Sequence, residues 1–188
     1  SFTFWAPSMM VRTYGLSLSE VGFILGSITI ISSITGTIVA GAAVDFLRSR
    51  DYKDAPVRVA MIATLFALPP IVVAPLMNSE ILTWVLIGLY LFFISSFAPL
   101  GLLAVSGISS GKVRGQMAAI HAFLMMAFGL SLGPQLTAFF TDFILSDSSK
   151  LGLAVSLTAL IVLPLSTFFF KLSLSGYRNS VEKLGIVL

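Results

Sequence analysis

Cysteine is absent from the 188 residues, and histidine occurs once, at His121. Disulfides and thiolate metal sites are thereby excluded. No His-Glu-x-x-His or Glu-x-x-His spacing occurs, so neither a metal nor any other cofactor is expected. Charge is equally scarce: 11 Lys and Arg and 8 Asp and Glu amount to 10% of the chain, against 57% hydrophobic residues. A water-soluble domain of this length cannot cover its surface with so few charges, and the surplus apolar area needs lipid as its solvent. The net charge of +3 is small, and no Lys/Arg stripe runs along any element, so nucleic acid is not an expected partner. The apolar start at Ser1 has no basic flank and no cleavage signature and is not read as a signal peptide. It reads as a helix already under way, and the chain as part of something longer.

What charge there is lies concentrated. Seven of the 19 charged residues fall between Asp45 and Arg58: Asp45, Arg48, Arg50, Asp51, Lys53, Asp54 and Arg58. The apolar runs on either side are too long and too uncharged for soluble helices, so this island sits in water between two membrane spans. From that anchor the chain divides into a partial span at 1–14 and full spans near 21–44, 59–77, 81–105, 113–140 and 151–172. Ser17 or Ser19 is placed to cap the second span. Ser95, Ser96 and Pro99 interrupt the fourth. The third, 59–77, carries three prolines and no polar stripe, and is expected to face lipid. Nine of the 11 basic residues then fall on one side: Arg48, Arg50, Lys53, Arg58, Lys112, Arg114, Lys171, Arg178 and Lys183. Such asymmetry places that side, and the C-terminus, in the cytoplasm of a multi-pass integral membrane protein.

Helical periodicity of about 100° per residue sorts the spans into faces. In the second, Gly22, Gly26, Thr29, Ser33, Gly36 and Ala40 form a small-residue stripe that lets another helix approach closely. In the fifth, Gly115, Ala118, Ala122, Gly129 and Gly133 line one side, with Pro134 next. On another side of that span lie His121, Phe128 and Gln135. In the fourth, Tyr90, Phe93, Phe97 and Gly101 share a face. His121 is an ionisable group well inside a span, where a functional role is the default expectation; a neutral histidine bonded between helices is the plainer alternative. The Gly107-Ile-Ser109-Ser-Gly111 run fits the spacing of a nucleophile elbow, but a membrane helix precedes it instead of a strand. Ser106 and Val113 likewise break the phosphate-loop pattern there. An enzyme is not expected.

Two stretches resemble a known family. Gly41-Ala-Ala-Val-Asp45 followed by Arg48 and Arg50 is similar to the G-x-L-a-D-r-x-G-R-R signature between the second and third helices of each half of a major facilitator superfamily transporter. Gly41, Asp45 and Arg50 match. Ala43, Arg48 and Ser49 depart from it. Phe128–Asp142 (FGLSLGPQLTAFFTD) resembles the glycine-proline signature of helix five or eleven, and Arg114-Gly115 matches the pair that opens that helix. With Phe4-Trp5-Ala-Pro7 and Tyr14-Gly-Leu-Ser-Leu-Ser-Glu20-Val-Gly22, the likeness is to the spinster-like branch.

This resemblance implies an all-α membrane protein: the C-terminal six-helix bundle, helices seven to twelve, with the first helix truncated. It implies secondary transport by alternating access, against an N-terminal six-helix half. It also implies a latch in which Asp45 meets the N-terminus of the fifth span near Arg114, with Gly41, Arg48, Arg50 and Gly115 around it. Trp5, Tyr90, Phe93, Phe97, His121, Phe128 and Gln135 are the candidate cavity residues, suited to a small organic or lipid-like solute. A proton or a sodium ion is the expected coupling ion. Since the full spans hold no carboxylate in their apolar cores, His121 is the local candidate for proton coupling. A membrane channel, or an assembly subunit without transport of its own, is the alternative reading.

Overall fold

The computed structural model describes residues 2–147 and 150–183; Ser1, where the first expected span begins, lies outside them. Six helical rods follow one another: α1 (Phe2–Tyr14), α2 (Leu18–Arg48), α3 (Ala55–Leu76), α4 (Glu80–Gly107), α5 (Arg114–Ile144) and α6 (Leu151–Lys183). No strand occurs among the described residues. The last five are each long and apolar enough to cross a membrane. α2 holds 31 residues, which at about 1.5 Å each outlast a hydrocarbon layer of about 30 Å.

Local chemistry fixes the helix ends. Gly15 takes φ +68° to turn the chain out of α1, a conformation that glycine adopts without a Cβ clash. Ser17 then closes a capping box with Glu20, each side chain bonding the other's backbone N–H, so two donors at the start of α2 are satisfied at once. Pro56 stands in the first turn of α3, and a 3₁₀ turn at Ala74–Leu76 ends it. α4 is broken at Ser95–Ser96, as the sequence suggests. Both hydroxyls there turn back to donate to Phe92 O (3.1 Å) and Phe93 O (3.0 Å), which loosens the helix ladder.

The third helix corrects the sequence reading. α3 is the most enclosed of the membrane-length helices, with its main packing against α6 and α4. Its enclosed side is Ala60, Ala63, Thr64, Ala67, Ile71 and Ala74, spaced three and four apart. Alanines at that spacing form a smooth seam against which other backbones close. Its one hydroxyl, on Thr64, is turned back to Ala60 O, and one threonine among alanines makes no polar stripe, so the seam reads as a lipid face.

The main core joins α1, α2, α3, α4 and α6: Ala6, Met9 and Met10 meet Val21, Leu25, Ile71, Ile87, Leu91 and Val155. α1 is therefore deeply seated despite its length. Tyr14 fastens its end, with its hydroxyl on Met77 O (2.7 Å) and Thr83 Oγ1 (2.6 Å). Ser156 Oγ, donating to Val72 O at 2.8 Å, ties α6 to α3. Interhelical bonds of this kind contribute about 0.6 kcal/mol each in membranes, so close packing carries most of the stability. α5 is the least enclosed membrane-length helix and adds no residue to this core.

Candidate functional site

Two places gather candidate side chains: a cavity between helices and a charged cluster at the basic end. The cavity measures about 370 Å³ and is walled by α4, α5 and α6, with Phe2 and Ile71 closing it from α1 and α3. Ligand sites commonly run from about 300 to 1,000 Å³. Tyr90, Phe97 and Phe128 line it, as do Gly129 and Gly133. Trp5, Phe93, His121 and Gln135 do not.

For Gln135 the reason lies in α5. Its backbone widens into π-helical turns over Met125–Leu130 and Phe140–Ile144. These turns break the 100° phase on which the faces were assigned. Phe128, Gly129 and Gly133 consequently share the cavity wall, while Gln135 is exposed. Upstream of the bulge, His121 lies in a notch on α4: a Cβ on Gly101 would come 2.6 Å from its ring. Its Nε2 is buried without a hydrogen-bond partner among the described residues. Trp5 Nε1 donates to Pro134 O at 3.1 Å, joining α1 to α5 beside the cavity. Phe93 stacks on Phe66 of α3 at 5.7 Å, elsewhere in the bundle.

At the basic end the ion pairs centre on a residue the sequence did not single out. Asp54 is fully buried. Its Oδ1 receives Arg58 Nε at 2.6 Å and its Oδ2 receives Arg178 Nη2 at 2.9 Å. Burial alone would raise its carboxyl, but the hydrogen bonds and charges of the two guanidinium groups outweigh this and hold it below the ordinary carboxylate range. Arg178 belongs to the far end of α6, so this carboxylate stitches α6 to the α2–α3 connection. Tyr177 and Val181 pack on Val57 beside it, and Lys53 adds an exposed pair with Glu182 at 3.3 Å. Such an exposed pair is worth little. The only cue in the sequence was Asp54 standing four residues before Arg58; its partner lies 124 residues further on.

Asp45, Arg50 and Arg114 are exposed, and no ion pair joins Asp45 to Arg114 in this conformation. Arg50 instead lies over the Phe46 ring at 4.3 Å. Arg48 is partly enclosed, with Nε and Nη2 buried and without a hydrogen-bond partner among the described residues. Gly41 and Gly115 face open space.

The glycines expected to serve helix packing divide in the same way. Gly36 lies directly against the carbonyl of Phe92, with Ser95 Oγ 2.7 Å from where a Cβ would stand. Gly22, Gly26 and Gly129 have nothing within 4 Å of that position, so inside this bundle they pack no helix. Close packing falls also to two glycines the sequence left unmarked: Gly88 against Ile28 (3.2 Å) and Gly152 against Pro75 O (2.9 Å). Ser109, in the rejected elbow motif, is buried and donates to Val105 O at 2.6 Å, as a helix-end serine does. Among the described residues no group of acidic or histidine side chains could hold a metal.

No protein-family model matches the chain, and no solved structure matches it. A curated relative, an MFS-type efflux pump of Mycolicibacterium smegmatis, is 25% identical over 183 residues. The match takes in 96% of this chain and 42% of that protein, so the chain spans less than half of the relative's length. The chain is thus a multi-pass, all-helical membrane bundle similar to a transporter.

Proposed function

We propose that this chain is the C-terminal six-helix half of a major facilitator secondary transporter, of spinster-like type. The observation that carries the reading is the match itself. It runs through nearly the whole chain but through 42% of an efflux pump, the share expected of one half. In this reading the open faces of α2 and α5, with Gly22, Gly26 and Gly115, receive an N-terminal half. A small organic or lipid-like solute is carried between the two by alternating access. The basic end, with the C-terminus, is cytoplasmic. Asp45 and Arg114 form their latch in another conformation than this one.

The test is counterflow. Full-length protein reconstituted into liposomes should take up a fluorescent lysolipid faster when unlabelled lysolipid is loaded inside, because a carrier reorients faster loaded than empty. Uptake indifferent to the internal solute would mark a channel. No uptake of lysolipid, with counterflow of other organic solutes retained, would remove the spinster-like assignment and keep the carrier. His121→Gln in the same protein should weaken transport or shift its pH dependence, and an unchanged pH–rate curve would remove His121 from coupling.

A further inference from the structure

The cavity between α4, α5 and α6 is open on one side, and every residue that lines it belongs to this chain. None of its lining residues is charged, and only Tyr90, Thr158 and Ser166 bring hydroxyl groups. Two of these are already engaged. Thr158 Oγ1 donates to Ala154 O at 2.8 Å and lies 3.0 Å from Thr137 Oγ1. Ser166 Oγ donates to Val162 O at 2.8 Å. Tyr90 makes no hydrogen bond among the described residues; its ring is braced edge-on by Phe2, 5.1 Å away. One phenolic O–H is thus left over in an otherwise apolar chamber. The space itself is left by absent side chains: Gly129 and Gly133 stand on its α5 wall, in and just beyond the π-helical stretch.

We infer that this cavity is a binding site for a neutral, largely apolar molecule bearing one hydrogen-bond acceptor, such as a ketone or ester carbonyl, which Tyr90 receives through its hydroxyl. An ion is unsuited, because a charge buried here would meet no countercharge. A pure hydrocarbon would leave the hydroxyl unpaired. The site goes beyond the transport reading and does not depend on it: binding needs only this bundle, whether or not the solute is moved.

The test uses full-length protein in detergent and Prodan, a neutral naphthalene ketone whose emission moves to longer wavelength when its carbonyl accepts a hydrogen bond. Excitation of tryptophan favours dye held near Trp5, which bonds Pro134 beside the cavity, and near Trp84, so the cavity-filling variant decides which emission belongs to the site. Saturable sensitised emission is expected. Ala159→Leu, which fills the cavity from α6, should abolish it, with a thermal melt confirming that the variant is folded. Tyr90→Phe should keep binding, weaken it about fivefold, as loss of one ordinary hydrogen bond does, and move the emission to shorter wavelength. A neutral ketone without fluorescence should displace the dye and an anionic naphthalene sulfonate should not. Equal emission from the wild type and a folded Ala159→Leu variant would show dye in the micelle alone and overturn the site. An unshifted Tyr90→Phe spectrum, or displacement by the sulfonate, would overturn the ligand class. Counterflow failing while this binding persists would sink the transport reading and leave the site standing.

Discussion

α3 and α5 are both membrane-length helices with small residues down one side, and they end in opposite surroundings. The alanines of α3 are sealed against α6 and α4, whereas Gly115 and Gly129 of α5 meet no neighbour within 4 Å of a Cβ position. A small side chain records that something is able to come close; it does not say whether the visitor is inside the bundle or outside it. α2 shows both cases along one rod, closed at Gly36 and open at Gly22 and Gly26. Enclosed alanine seams hold this bundle together, and open glycine faces are its uncommitted surface.

The contrast can be broken at the seam first. Gly152 of α6 lies so near Pro75 O that a side chain would meet backbone, which cannot rotate away. Gly152→Leu should cost about 2–3 kcal/mol, in the range of overpacked cores, read as a lowered melting temperature in detergent. An unchanged melt would mean that the α3–α6 seam is loose.

Next comes the stitch at the end of that seam. Asp54→Asn leaves Arg58 and Arg178 facing one another without their shared carboxylate. Both arginines reach water, so the loss should be about 1–2 kcal/mol instead of the larger value of a wholly dry pair. The pH dependence follows from the sign of the shift. The folded carboxyl sits below its unfolded value of about 3.9, so its contribution is complete above that value. It disappears as pH falls through the lower, folded value. The wild-type advantage over Asp54→Asn should vanish in that acid range and persist at neutral pH.

The smallest effect is expected on the open side. Gly115→Ala meets open space and should leave the melt of this bundle unchanged or raise it by up to about 1 kcal/mol, the ordinary helix-propensity gain. A destabilised bundle would show that α5 is packed after all. A stable bundle with impaired counterflow in the full-length protein would show instead what the open face receives.

Much of this architecture was legible before any coordinates. The run of long apolar helices followed from charge and hydropathy. The structure runs them longer at most ends, by 11 residues at the C-terminal end of α6, where Arg178 and Lys183 continue the helix. Ser17 or Ser19 was readable as a cap, and the structure chooses Ser17, which pairs with Glu20 three residues on. The position of α3 was not readable, because an alanine seam and a lipid face have the same hydropathy. The Asp54–Arg178 bond was not, because nothing in either neighbourhood announces a partner so distant in sequence. Of the residues expected in a cavity, Tyr90, Phe97 and Phe128 line the one between α4, α5 and α6, but periodicity cannot anticipate a π-helical turn, and beyond it every assigned face on α5 rotates.

The stitch at Asp54 has a mechanical consequence. It fixes the tail of α6 to the base of α3, and Ser156 binds the same two helices again near their other end, so α3 and α6 form a strut clamped at both ends. α4 is tied through Thr83 near its start, with the serine break beyond it, and α5 is held by Trp5 and Thr158 between its two widened turns. A load applied at the basic end would travel up the strut unbent and flex the other two beside the chamber they wall, altering its volume while the frame keeps its shape.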